Sequence, residues 1–160
     1  MNLVIVAPPS APVVDLPRLK SHLRVSTGAD DAQLAALEAT AVAKLDGPGG
    51  ILGRAILPQT WRQTFAGGPY ILAMPDVTDV SVTADGEPVE AAIALDGRRT
   101  VVSLVGTARE VVVDFTCGLG AGDLEIAKVI ICLYVEHLFD RSDLSPAYHD
   151  LVDKLCWARV

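Results

Sequence analysis

Residues 123–140, DLEIAKVIICLYVEHLFD, constrain the fold more than any other stretch of the chain. Drawn as a helix, they gather Glu125, Lys128, Glu136 and Asp140, with Cys132 among them, on one narrow stripe and leave nearly every other position apolar. A helix apolar around most of its circumference has to be buried on several sides, either in its own core or against another subunit. The strongest apolar run, VIICLYV, falls far short of the roughly 18 residues that a membrane span needs. The segment is therefore expected to be a helix buried in the core or against another subunit.

Helical spacing also marks the first part of the chain. Residues 1–14 are rich in proline and read as an extended arm; LVIVA lacks a basic flank and runs at once into PPSAP, unlike a secretory signal. DLPRLKSHLRV predicts a short helix with Asp15 as N-cap, Pro17 in the first turn and Leu16, Leu19 and Leu23 recurring on one face. STGADD breaks it. A second helix is expected from Asp30 to Asp46, with Asp30 and Asp31 at the positive end of its dipole and Leu34, Leu37, Ala41 and Leu45 along one face. GPGG ends it.

From Ile56 to about Phe115 the period changes from helical to alternating. LPQTWRQTF places Thr60, Arg62 and Thr64 on one side and Trp61, Gln63 and Phe65 on the other, without showing which side is inside. VTDVSVTADGEPVEAAIAL reads as a hairpin turning at Asp85-Gly86. DGRRTVVSLV and REVVVDF are expected to form a second pair, which makes one small antiparallel sheet of about four or five strands. In RSDLSPAYHDLVDKLCWARV, Ser145 and Pro146 open a last helix. The fold class implied is α+β, with N-terminal and C-terminal helices packed together and a small antiparallel sheet inserted between them. The expected organisation is an arm, 1–14, and a single domain, 15–160, with helices over 15–46, a β region over 54–116 and helices over 123–158.

The chemistry in the sequence is sparse. With 13 Lys and Arg against 20 Asp and Glu, a net charge of −7, the chain is ill suited to gripping nucleic acid by its phosphates. It suits a wall past which DNA slides. Three cysteines leave one over in any full pairing, which fits a reducing cytosol, and no C-x-x-C spacing suggests zinc. The loop GLGAG, with Gly118, Gly120 and Gly122, has the wrong third spacing for a dinucleotide fingerprint, no second strand follows, and Asp123 would repel a phosphate. It reads as a turn with Asp123 capping the next helix. The rival reading, a small nucleotide-binding enzyme subunit built on residues 118–123, rests on that loop alone. His22 reads as a solvated or capping residue, and His137 as a local partner of Glu136 or Asp140. His149 and Asp153 offer two metal ligands, too few for a site. Asp30 and Asp31 do not face each other, and Gly97-Arg98-Arg99 reads as a hairpin tip. Trp61 is placed in the core, and Trp157 equally in core or interface. No catalytic residue, metal or cofactor is expected.

The succession DLPRLKSHLRV, DDAQLAALEATAVAKLDG and GRAILPQTW resembles the head-tail connector, or adaptor, proteins of long-tailed phages. LDGPGGILGRAI is most similar to the version in bacterial gene transfer agents, which are phage-derived particles. The strand ending FTCGLG and the helix LEIAKVIICLYVEHLFDRSD resemble the later part of those proteins, so the likeness spans about residues 15–145. It implies a structural protein without catalytic residues that docks as a ring of about twelve copies beneath the portal. That ring would join the portal to the next tail-proximal, stopper-type protein, with DNA passing through its lumen and no membrane contact. The motif positions are Lys20, His22, Arg24, Arg54, Gln59, Thr60 and Trp61, as fold or subunit-contact residues. The portal anchor is expected in Tyr148, Leu155, Trp157, Arg159 and Val160. The resemblance places the protein at the head-tail junction of a virion or gene-transfer-agent particle, and in the host cytoplasm during assembly, monomeric when free. The alternative within this class is another junction component, a stopper or tail terminator.

Overall fold

The computed structural model describes residues 2–96 and 99–157. It is α+β, and the chain folds as two compact units, one of residues 10–56 and 120–160 and the other of residues 1–9 and 57–119.

The first unit is helical. α1 (Leu16–Leu23) starts where Asp15 accepts a hydrogen bond from the Arg18 amide, and it stops at Arg24, whose backbone is left-handed (φ 58°). α2 (Asp31–Leu45), α3 (Ala121–Asp140) and α4 (Pro146–Leu155) complete the set, and the helices from the two ends of the chain pack together. The Ser145 side chain accepts from the Tyr148 amide at the start of α4, as its position before Pro146 predicts. α3 buries Ala127, Ile130, Ile131, Cys132, Tyr134 and Val135, while Val129 remains exposed and Ile126 and Leu133 half-buried.

Two expectations change in this unit. The buried face of α2 is Leu34, Glu38, Ala41 and Leu45, with Glu38 where Leu37 was expected. Glu38 can sit there because its carboxylate accepts from the Val13 and Val14 amides, 2.9 and 3.2 Å away, and so satisfies two buried donors. Asp123 is not the cap of α3. Gly120 holds that position without a side-chain bond, and Asp123 lies in the first turn, paired with Arg54.

The second unit is built of strands: β1 (Asn2–Ala7), β2 (Gln59–Phe65), β3 (Tyr70–Ile71), β4 (Val77–Ala84), β5 (Glu87–Val89), β6 (Ala91–Asp96), β7 (Arg99–Leu104) and β8 (Val111–Cys117). They form two sheets, where one was expected: a five-stranded sheet in the order β1-β2-β8-β4-β5 and a three-stranded one in the order β3-β7-β6. Asn2–Ala7 is thus an edge strand, antiparallel to β2.

The expected pairing of DGRRTVVSLV with REVVVDF does not form. β7 pairs with β6 and β3, and β8 lies between β2 and β4. β8 alternates cleanly, with Val111, Val113, Phe115 and Cys117 buried, and so strongly apolar a strand is best placed where both its edges are covered. The Asp85-Gly86 turn does occur between β4 and β5, with both residues at positive φ (48° and 90°) as a two-residue hairpin of this type requires. Its second arm, however, splits, and β6 joins the other sheet. Buried Gln63 joins β2 to the end of β3 and the chain just after it: it donates to the Ile71 carbonyl (3.1 Å) and accepts from the Ala73 amide (2.9 Å). Gly97 and Arg98 of the expected hairpin tip lie outside the described residues.

Candidate assembly surfaces

The motif residues of the helical unit bind its elements to one another. Lys20 reaches Asp31 at 2.7 Å, joining α1 to the start of α2, and His22 Nε2 lies 2.9 Å from Glu136 of α3. Arg18, one turn earlier, donates to Glu125 at 2.9 Å, and Lys128 reaches the same carboxylate at 2.6 Å. Lys128 first and Arg18 second hold the Glu125 carboxyl below its ordinary range, and Glu125 in turn raises the Arg18 guanidinium. These pairs are largely exposed and screened by solvent, so they add little stability, and their value is in setting the register of α1 on α3. Between these helices lies a shallow cleft of about 310 Å³ lined by Arg18, Ser21, His22, Val129 and Cys132. Arg18 already faces Glu125 and the His22 ring faces Glu136, so both are engaged by carboxylates and little is left for an anionic ligand.

Arg54 is the most connected motif residue. Its guanidinium donates to Asp123 Oδ2 at 2.8 Å and to the Leu155 carbonyl at 3.3 Å, with the side chain 14% exposed. In the sheet unit, Gln59 is buried, the Thr60 and Thr116 hydroxyls meet at 3.0 Å across β2 and β8, and Trp61 is half-buried with its indole nitrogen enclosed and unpartnered. Arg62, the next residue on β2, grips Asp114 of β8 through two bonds of 2.7 Å. Sequence reasoning did not single out Arg62, Glu38 or Gln63; the alternation around Arg62 was the available signal, but its cross-strand partner lies 52 residues away.

The expected portal-anchor residues are not equally placed. Tyr148 and Leu155 are 3% and 1% exposed, in the core of the helical unit, so in this conformation they support a surface without belonging to it. Trp157 is half-buried, with its amide donating to the Leu52 carbonyl at 2.9 Å. Arg159 and Val160 lie outside the described residues.

The remaining candidates have ordinary partners. His137 Nδ1 contacts the Ser142 carbonyl, and His149 stacks edge-on against Tyr148. Among the described residues no group of three or more His, Cys, Asp or Glu side chains is placed to hold a metal ion, and no helix is long and apolar enough to cross a membrane. The GLGAG loop has structural reasons for its composition. The Gly118 amide donates to the Asp76 carbonyl at 3.3 Å, and a Cβ on Gly118 would stand 2.9 to 3.1 Å from backbone atoms of Leu57 and Pro58. A phosphate would have to compete with the Asp76 carbonyl for that amide.

No family model matches the chain, and no curated protein matches it in sequence. Among solved structures, the fold is similar to a chain of the structure described as "Neck of empty GTA particle computed with C6 symmetry", GTA standing for gene transfer agent. The TM-score is 0.75 at 21% identity, over 100% of this chain and 97% of that one.

Proposed function

We propose that this chain is a structural adaptor at the neck of a tailed phage or gene-transfer-agent particle, without catalytic activity of its own. It docks as a ring beneath the portal and joins it to the next tail-proximal protein. The observation that carries this reading is the likeness of fold to a neck chain over the whole length of both proteins. The motif succession of the first 60 residues and the connector-like helix at 121–140 point the same way from the sequence. A ring of about twelve copies contains a six-fold axis, so it is compatible with the symmetry in which that neck was computed. The partly uncovered stripe of Ile126, Val129 and Leu133 on α3 supplies apolar surface for a neighbouring copy, and a net charge of −7 suits a lumen through which DNA moves. A helical unit with a 20-residue α3 favours an adaptor over the sheet-dominated stopper and terminator proteins. The portal anchor in this reading is the segment after Leu155, with Tyr148 and Leu155 as its foundation.

The test is sedimentation of the purified protein with the portal protein encoded beside it, together with a form ending at Leu155. A ring-sized complex that forms with the whole chain and is lost with the shortened one is the expected result. A folded protein that ignores the portal but joins a tail-side component would assign it to the stopper or terminator class instead.

A further inference from the structure

The loop that follows α2 and the residues that follow α4 meet in a compact set of bonds. The Leu52 carbonyl accepts from the Trp157 amide at 2.9 Å, and the Ile51 carbonyl lies 3.2 Å from the Cys156 thiol. Arg54 donates to the Leu155 carbonyl at 3.3 Å and to Asp123 at 2.8 Å. Gly53, left-handed at φ +63°, lets the loop turn between them, and a Cβ added there would stand 3.6 to 3.9 Å from atoms of Trp157. Three consecutive residues, 155–157, are thereby tied to the four-residue loop 51–54.

The physical logic centres on Arg54. The last carbonyls of a helix have no partner within it, and a cation is favourable at that negative end. Arg54 meets both needs for α4, although it lies 101 residues from Leu155. Asp123, in the first turn of α3 where a carboxylate is favoured, holds the other branch of the guanidinium. One planar fork thus joins the start of α3, the end of α4 and the loop, a geometry that a lysine cannot reproduce.

We propose that Ile51–Arg54 is a cradle that sets the direction in which the segment after Leu155 leaves the helical unit, with Arg54 as its positioning residue. Its purpose rests on the adaptor reading: a segment whose first residues, Cys156 and Trp157, are already held in place loses less freedom when it docks on the portal. The cradle itself is independent of that reading and can be tested without the portal.

The experiment is amide hydrogen exchange on the full chain, comparing the unsubstituted protein with Arg54→Ala and Arg54→Lys, with portal sedimentation of the same samples in parallel. The Trp157 amide is expected to be protected, and Arg54→Ala to speed its exchange about tenfold while α2 and α3 keep their rates. Arg54→Lys should fall between. If Arg54→Ala loosens the whole helical unit, Asp123→Asn is decisive, because it removes the ion pair while leaving the bond to Leu155; a smaller acceleration confined to 155–157 is then expected. A Trp157 amide that exchanges freely in the unsubstituted protein, or one that stays as protected in Arg54→Ala as in the unsubstituted protein, overturns the cradle. Portal binding weakened severalfold by Arg54→Ala supports the positioning role, and unchanged binding by a loosened tail overturns it. If the unsubstituted protein does not bind the portal at all, the adaptor reading falls while the exchange rates still judge the cradle.

Discussion

Tyr148 is buried with its hydroxyl unpartnered, whereas Glu38 and Gln63 are buried with their hydrogen bonds made. The difference has a measurable consequence, because an enclosed hydroxyl that has lost water and found no partner is a net cost. Tyr148→Phe should leave stability unchanged or raise it by up to about 1 kcal/mol, read as the midpoint of urea unfolding. Burial pushes the Tyr148 phenol above its ordinary value, against the opposing pull of Lys44 and with a smaller push from Tyr134. The folded state therefore keeps this proton longer than the unfolded chain. Stability is unaffected below the ordinary phenol value of about 10 and declines as pH rises beyond it toward the folded value. Tyr148→Phe should accordingly resist alkaline unfolding better than the unsubstituted protein. None of this was legible in AYHDL, which shows a tyrosine on a helix and not what encloses it.

The helices were the most legible elements, because their signals are local. Asp15, Ser145 and Pro146 act at helix starts within three residues of the groups they serve, and the apolar excess of α3 appears in one uninterrupted stretch. The strands were less legible for a matching reason. Alternation along β8 shows which side chains share a face, but β8 takes β2 and β4 as neighbours across long stretches of chain, and nothing in a period of two names a neighbour. The glycine loop after β8 is a case where local pattern misleads. Gly118 belongs to a sequence that resembles a phosphate cradle, yet its missing side chain makes room for the backbone at Leu57 and Pro58. Gly118→Ala should cost about 1 to 3 kcal/mol, since backbone rather than a flexible side chain would have to move. Thermal unfolding with and without added nucleotide would check both halves of this: a lowered midpoint in the variant, and no nucleotide-dependent rise in either protein.

For the molecule as a whole, the fold and the motif succession support the same reading by separate routes, one from three-dimensional likeness at 21% identity and one from residues in order. The proposed ring depends on a template. A ring closed before it reached the portal would be hard to place, so the purified protein is expected to sediment as a single 16.9 kDa chain and to assemble when the portal is added. A stable ring in dilute free protein would contradict this.

The amino-acid sequence by itself determined the α+β class, the helices with the starts of α1 and α4, and the turn at Asp85-Gly86. Each of these depends on side-chain type at short spacing, which is written directly in the chain. The tertiary structure alone decided that the β region forms two sheets, that residues 2–7 complete one of them, that Glu38 is inside, and that Arg54 joins helix ends 69 and 101 residues away. Those outcomes depend on which distant groups meet, and a hydrogen bond or a buried face carries no mark of its partner until the chain has folded.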